Sequence, residues 1–300
     1  MPIPYLNHQH NFFDFLQFQK RYSKNTIVSY KNDLTSFFNF IQNQYPHTAI
    51  SEIKTIYVRS WMADMKDNKL TARSLNRKMS SLRSFFNFLV KNQVVKLNPV
   101  CGIASPKMPK RLPQFITEKD TENLFTTVEF SEGFKGHTEK LLLQVLYFTG
   151  IRKAELIAIR ENDIDKMNSQ IKVLGKGNKE RIIPVNNLLV KDLIFYVAEK
   201  KRLGLRNENN NFFVTEKGYS LDPKHVYNIV HKYLSQITTI EKKSPHILRH
   251  TFATHLMNNG AELNAVKELL GHASLAATQI YTHNSIEKLK EVHKKAHPKA

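Results

Sequence analysis

Residues 244–256 read Ser244-Pro245-His246-Ile247-Leu248-Arg249-His250-Thr251-Phe252-Ala253-Thr254-His255-Leu256, and the fold and chemistry of the chain turn on this stretch. Ser244 suits a helix N-cap and Pro245 the first helical position, so a helix is predicted to begin here. His246 and Arg249 then share a face of its first turn, where exposed backbone N–H groups favour an anion such as phosphate. His246 and His250 also have the i, i+4 spacing of a metal pair. The residues between them, Ile247-Leu248-Arg249, lack the glutamate of a zinc-hydrolase helix, and an arginine inside the pair repels a dication. A zinc-dependent hydrolase built on His246 and His250 would lose its activity to a chelator.

Outward from this helix, three further segments carry residues of chemical interest. In Thr149-Gly150-Ile151-Arg152-Lys153-Ala154-Glu155-Leu156, Gly150 permits a tight approach at the end of an apolar helix and Arg152 opens the next one. Arg152 is either an anion ligand or simply the partner of Glu155 on a surface helix. Gln170–Leu174 and Glu180–Val185 read as two short strands, and Gly175-Lys176-Gly177-Asn178 between them as the turn of a hairpin. A lysine on such a turn can reach a leaving oxygen and protonate it; Lys176 is the candidate, with Lys179 and Arg181 as neighbouring alternatives. In Leu269–His283, Gly271 takes the usual glycine position after a helix running from about Glu262. His272 follows it, and Tyr281 lies nine residues further on. Alone, each of these side chains is ordinary.

Composition bounds the possible partners. The 300 residues hold 41% hydrophobic and 24% charged side chains, the profile of a folded soluble protein, and are enough for two domains. Lys and Arg outnumber Asp and Glu by 45 to 26, a formal charge of +19 that suits a polyanion such as nucleic acid. Cys101 is the only cysteine, so neither an internal disulfide nor a cysteine zinc cluster can form. The first residues show no basic and apolar signal pattern, and the longest apolar stretch, Leu141–Phe148, is too short to span a bilayer. A cytoplasmic protein without membrane contact is expected.

Residues 97–113 hold four prolines and a glycine and read as an interdomain connection. The expected division is an N-terminal domain over 1–103, a linker over 104–113 and a C-terminal domain over 114–300. Residues 1–110 carry 16 Lys and Arg against 5 Asp and Glu, making the smaller part the more densely basic. Apolar residues at helical spacing in Thr26–Ile41 and Ser74–Val90 predict an all-helical domain. Arg73, Arg77, Lys78 and Arg83 fall on the other face of the second helix without interleaved acids, which favours phosphate contact. Beyond the linker, Glu118–Val128, Glu139–Phe148 and Leu188–Lys201 read as helices, and so does most of the chain from Pro223.

Together, the Arg, Lys, His-x-x-Arg, Gly-His and Tyr segments resemble the tyrosine recombinase (phage integrase) family, and within it the Xer branch. The resemblance is carried by 149–156, 175–181, 245–256 and 269–281, and in the N-terminal part by 75–89 and Asn98-Pro99. It implies a mainly α fold, with an all-helical SAM-like core-binding domain that clamps DNA and an α-rich catalytic domain with a small antiparallel sheet. It places the family's roles on Arg152, Lys176, His246, Arg249, His272 and Tyr281, with Tyr281 as the nucleophile. It implies site-specific recombination of double-stranded DNA through a 3′-phosphotyrosyl intermediate and a Holliday junction, without metal, ATP or other cofactor. The implied partners are a homotetramer, or a heterotetramer with a paralogous recombinase, and a septal DNA translocase in concert with which chromosome or plasmid dimers are resolved. It also implies that the basic segment Ile286–Ala300 docks on a neighbouring protomer. A mobile-element integrase with the same chemistry and a non-catalytic DNA-binding protein are the alternatives.

Overall fold

The computed structural model describes residues 5–108, 114–175, 177–205, 207, 209–271 and 295–296. It divides the chain into two compact units, Met1–Arg111 and Leu112–Ala300, each with a separate hydrophobic core.

In the first unit, helices α1 (Leu6–Asp14), α2 (Lys24–Gln44), α3 (Thr55–Asp67) and α4 (Ala72–Lys91) enclose an aromatic core. Ser23 and Thr71 start α2 and α4 by accepting hydrogen bonds from the N–H groups of Thr26 and Ser74. The predicted stripes point inward: Phe37, Phe38, Phe85 and Phe86 are buried. Phe12, Phe37, Phe38, Phe85, Phe86 and Trp61 meet largely edge to face, the arrangement the ring quadrupole prefers.

The second unit is built on α6 (Gly133–Thr149), whose stretch from Leu141 is buried on every side and therefore central. Its one amide in the apolar run, Gln144, donates to Asp192 at 2.9 Å on α8 (Asn187–Arg202). The helix begins earlier than the Glu139–Phe148 read from sequence, because Phe134 and Thr138 pack against and hydrogen-bond Tyr196 of α8. The small sheet is antiparallel, in the order β1 (Ile164–Asp165), β2 (Gln170–Leu174), β3 (Glu180–Pro184). β1 is a third strand that two residues are too short to announce; it pairs Ile164 with Ile171. The β2–β3 hairpin forms where it was read from sequence; Leu174 lies opposite Glu180, and the Gly175 N–H donates to the Lys179 carbonyl at 2.8 Å.

The remaining helices are α5 (Glu118–Thr126), α7 (Lys153–Ala158), α9 (Pro223–Ile237), α10 (Pro245–Asn258) and α11 (Leu263–Leu270). α10 packs along α6, and Ser244 precedes it as expected, but the Ser244 side chain makes no capping bond. Among the described residues no helix is long and apolar enough to cross a membrane. Most of Ile286–Ala300 lies outside the described residues. Ala296, which does not, is buried in the second unit's own core, where its carbonyl accepts from Asn259 at 2.9 Å.

α10 is pinned to the start of this unit by a buried histidine. His255 Nε2 lies 2.9 Å from the Ile116 carbonyl, which can only accept, so Nε2 carries the proton. Nδ1, 3.0 Å from the Tyr147 hydroxyl, is then the acceptor. Thr251, one turn earlier on α10, accepts from the Ile116 N–H at 3.0 Å. Burial holds the His255 pKa below the usual histidine range, only partly offset by the Ile116 bond and the Glu118 charge. A depressed folded-state pKa means the unfolded chain binds the proton more tightly. The contribution is complete above about pH 6.5, the ordinary histidine value, and is lost as pH falls from there towards the folded-state value. We expect the melting temperature to drop between pH 7.5 and 5.5, and to drop less in His255→Gln; equal drops in calorimetric scans contradict this account.

Candidate active site

Two arginines, Arg152 and Arg181, converge on one buried carboxylate, and both meet a third, Arg249, at one helix end. Arg152 is the N-cap residue of α7, and the Glu155 side chain reaches back to its N–H at 2.8 Å. The same carboxylate takes the Arg152 guanidinium at 2.8 Å through Oε1. It also receives Arg181, through Nη1 at 3.1 Å and Nη2 at 2.8 Å. Glu155 is 6% exposed and Arg181 5%, so this pair is desolvated, whereas Arg152 keeps a third of its side chain open. Burial disfavours the charged form of Glu155, but the Arg181 and Arg152 hydrogen bonds and the Arg181 charge outweigh it. Its carboxyl therefore stays below the usual carboxylate range.

The same three arginines meet the C-terminal end of α11. Arg181 Nε donates to the Leu269 carbonyl at 2.9 Å, Arg249 Nη2 to that of Leu270 at 2.6 Å and Arg152 Nη2 to that of Gly271 at 3.4 Å. These are three consecutive carbonyls with no backbone partner among the described residues, at the negative end of the helix dipole, so cations suit them doubly. Gly271 ends α11 in the left-handed region, φ 64°, and an added Cβ would press on the Arg181 side chain at 3.1 Å.

Arg249 is buried on α10, and its Nη1 donates to the Gly150 carbonyl at 2.7 Å. Desolvation first, then the Arg152 and Arg181 charges, push its pKa down to about 10, against the opposing effect of Glu155, so it stays protonated near neutrality. Each Nη carries a second hydrogen, so the fork retains donors for an anion. His246, on the solvent side of the same helix, has its pKa lowered by partial burial and by the charges of Arg249, His250, Lys153 and Arg152. The imidazole is therefore neutral near pH 7 and able to accept a proton. Among the described residues no three His, Cys, Asp or Glu side chains converge as a metal-ligand group.

Arg152, His246 and Arg249 are thus the sequence-read residues that the structure brings together. Lys176, His272 and Tyr281 lie outside the described residues. Of the two readings of Arg152, the pairing with Glu155 is real, but Glu155 is buried and shared rather than a surface partner. Arg181 is no mobile alternative to Lys176, since burial and three hydrogen bonds immobilise it. Strand alternation carried that signal: Arg181 faces Val173 and shares the inward face of β3 with Ile183, so a buried acidic partner was required.

In the first unit, α4 does not present four unopposed cations. Asp33 of α2, 1% exposed, pairs with Arg77 and lies 3.5 Å from Lys78 Nζ, while Ser81 donates to it at 2.8 Å. The interleaved acid comes from a different helix, where inspection of α4 alone could not find it. Arg73 is exposed and Arg83 half-buried on the same helix.

Residues 114–288 match the family model described as the phage integrase family, and residues 10–93 match the phage integrase N-terminal SAM-like domain. A tyrosine recombinase XerC of Chlorobaculum parvum is 34% identical over 96% of this chain and 94% of its own length. One of Listeria monocytogenes is 37% identical over 97% of this chain and 98% of its own. The chain belongs to the phage integrase family of tyrosine recombinases. As such it is a site-specific, DNA strand-transferring recombinase of Xer type. Two solved structures share its fold. XerH bound to a palindromic difH substrate has a TM-score of 0.70 at 23% identity, covering 89% of this chain and 78% of that one. A lambda integrase dimer on a COC′ core site has 0.68 at 16%, covering 92% and 98%. In this recombinase all six residues read from sequence as catalytic fall within the matched span 114–288.

Gly150 couples the site to the core of the unit. Its φ is 59°, and an added Cβ would run into the Phe252 ring and the Leu270 side chain. Both the backbone conformation and the space exclude a side chain here. Gly150→Ala is expected to cost about 2–4 kcal/mol of stability, combining left-handed strain with overpacking. A denaturant midpoint equal to that of the wild type contradicts this.

Proposed function

We propose that Arg152 and Arg249 hold a DNA backbone phosphate while Tyr281 attacks it. The observation that carries this reading is the convergence of two guanidiniums on adjacent carbonyls at the end of α11, with excess positive charge and a neutral histidine beside them. In phosphodiester transfer, negative charge builds on the non-bridging oxygens, and arginine forks bind two such oxygens with fixed geometry. His272 adds a donor to the same oxygens. The tyrosine hydroxyl, with an ordinary pKa near 10, needs an acceptor as it attacks, and His246 serves as that base. Lys176 protonates the departing 5′ oxygen.

The new 3′-phosphotyrosyl ester replaces the broken phosphodiester, so a 5′ hydroxyl from another strand can displace Tyr281 without ATP. Charge stabilisation comes from the arginines, and the scheme calls for no metal. Two such exchanges, the first making a Holliday junction and the second resolving it, recombine two sites. The substrate is double-stranded DNA, in line with the DNA-bound XerH and lambda integrase structures that share the fold. Four protomers, of this chain alone or with a paralogue, assemble on paired sites. The role is resolution of chromosome or plasmid dimers in concert with a septal DNA translocase, in the cytoplasm. The first unit grips the duplex, with Arg73 and Arg83 on phosphates and with Arg77 and Lys78 oriented by Asp33.

Nicked suicide duplexes with randomised arms test the reading. Incubated in EDTA, the wild-type protein is expected to capture a subset as a denaturant-resistant adduct, and Tyr281→Phe to capture none. Arg249→Lys, which keeps the charge but loses the fork, is expected to slow capture about 100- to 1,000-fold. An adduct that survives Tyr281→Phe, or that forms only when a divalent metal is supplied, refutes the assignment.

A further inference from the structure

We propose that Arg181 is a positioning residue for strand transfer: it takes up the charge of Glu155, so that Arg152 keeps its own charge for the phosphate. The proposal rests on the assignment of Arg152 and Arg249 to the phosphate. Glu155 is almost fully buried, and a buried carboxylate needs a full cationic partner. Were Arg152 the only one, the two would form a neutral pair, and Arg152 would be drawn onto Glu155 and away from an incoming anion. Arg181 instead covers both carboxylate oxygens, leaving Arg152 with one guanidinium contact and the N–H bond that starts α7. Three guanidiniums around one carboxylate then leave a local surplus of two positive charges, held mainly by Arg152 and Arg249.

Arg181 also acts on geometry. Its Nε bond to the Leu269 carbonyl fixes the end of α11, the helix end to which Arg152 and Arg249 are themselves bonded. It is held for both tasks by its inward register on β3, opposite Val173. It does not approach substrate and transfers no proton, so its effect reaches the reaction through Arg152.

The test uses the full-length protein and a nicked suicide duplex that the wild type selects from the randomised pool. Three quantities separate positioning from a structural role: the single-turnover rate of adduct formation at saturating DNA, the affinity for the same duplex by fluorescence anisotropy, and the melting temperature. In Arg181→Met the rate is expected to fall at least about tenfold, the usual penalty for removing a group that orients another, while affinity changes by less than about threefold. Arg181→Lys, which restores the charge without the fork, should lie between Met and wild type. Arg181→Met combined with Glu155→Gln should react faster than Arg181→Met alone, because no buried carboxylate then claims Arg152. An unchanged rate in Arg181→Met, a loss explained by affinity alone, or a double variant no faster than the single one overturns the proposal. If Arg181→Met shows no cooperative melt, Arg181→Lys decides, and a wild-type rate in that variant overturns the proposal. If the wild type captures no duplex at all, it is the phosphotyrosyl reading that fails, a separate outcome.

Discussion

The buried pair of Glu155 and Arg181 is the interaction on which the second unit's chemistry depends. A carboxylate with 6% exposure is tolerable only when its oxygens are fully occupied, and here four N–H contacts from two arginines occupy them. Meeting that requirement ties β3 to the start of α7. The remaining donors of Arg181 and Arg152, with those of Arg249, tie both elements to the end of α11 and to Gly150. Four separate pieces of chain, 150–155, β3, α10 and the end of α11, are thereby fixed around one small volume. Their charges do not cancel, so the volume is preorganised for an anion before any substrate arrives.

Preorganisation explains the choice of residue types. Lysine could supply the charge at Arg152 or Arg249, but only guanidinium offers several donors in a rigid plane. It can therefore grip a backbone carbonyl and still present hydrogens to a phosphate. The cost is desolvation and mutual repulsion: burial first, then the Arg152 and Arg181 charges, push the pKa of Arg249 down to about 10. The helix dipole of α11 and the Glu155 charge offset part of that repulsion. In the first unit the same solution appears on a smaller scale, where Asp33 beneath Arg77 and Lys78 orients them at the expense of some of their net charge.

Much of this was legible in the sequence wherever a local rule operates. Periodicity placed α2 and α4, the glycine-rich turn between two short strands placed β2 and β3, and Gly271 marked the end of α11. What escaped depends on residues distant in the chain. The first turns of α6 contain Gly133 and Gly136, poor helix formers, and form because Phe134 and Thr138 engage Tyr196. Asp33 neutralises a face of a helix that begins 39 residues later. Arg181 looked like one of several hairpin cations until its inward register was known. Of the site, Arg152, His246 and Arg249 were readable from motif and spacing, whereas the shared carboxylate that orders them was visible only as a local partner of Arg152.

The central claim is that this arginine-lined volume serves a tyrosine that becomes covalently joined to DNA. Mapping that bond tests it most directly. The captured adduct, formed in EDTA, is digested with nuclease and protease, and the modified peptide is sequenced by mass spectrometry. The account predicts a 3′-linked deoxynucleotide on the peptide containing Tyr281, at the Tyr281 oxygen. A nucleotide on any other side chain, or cleaved DNA with no protein attached, contradicts it.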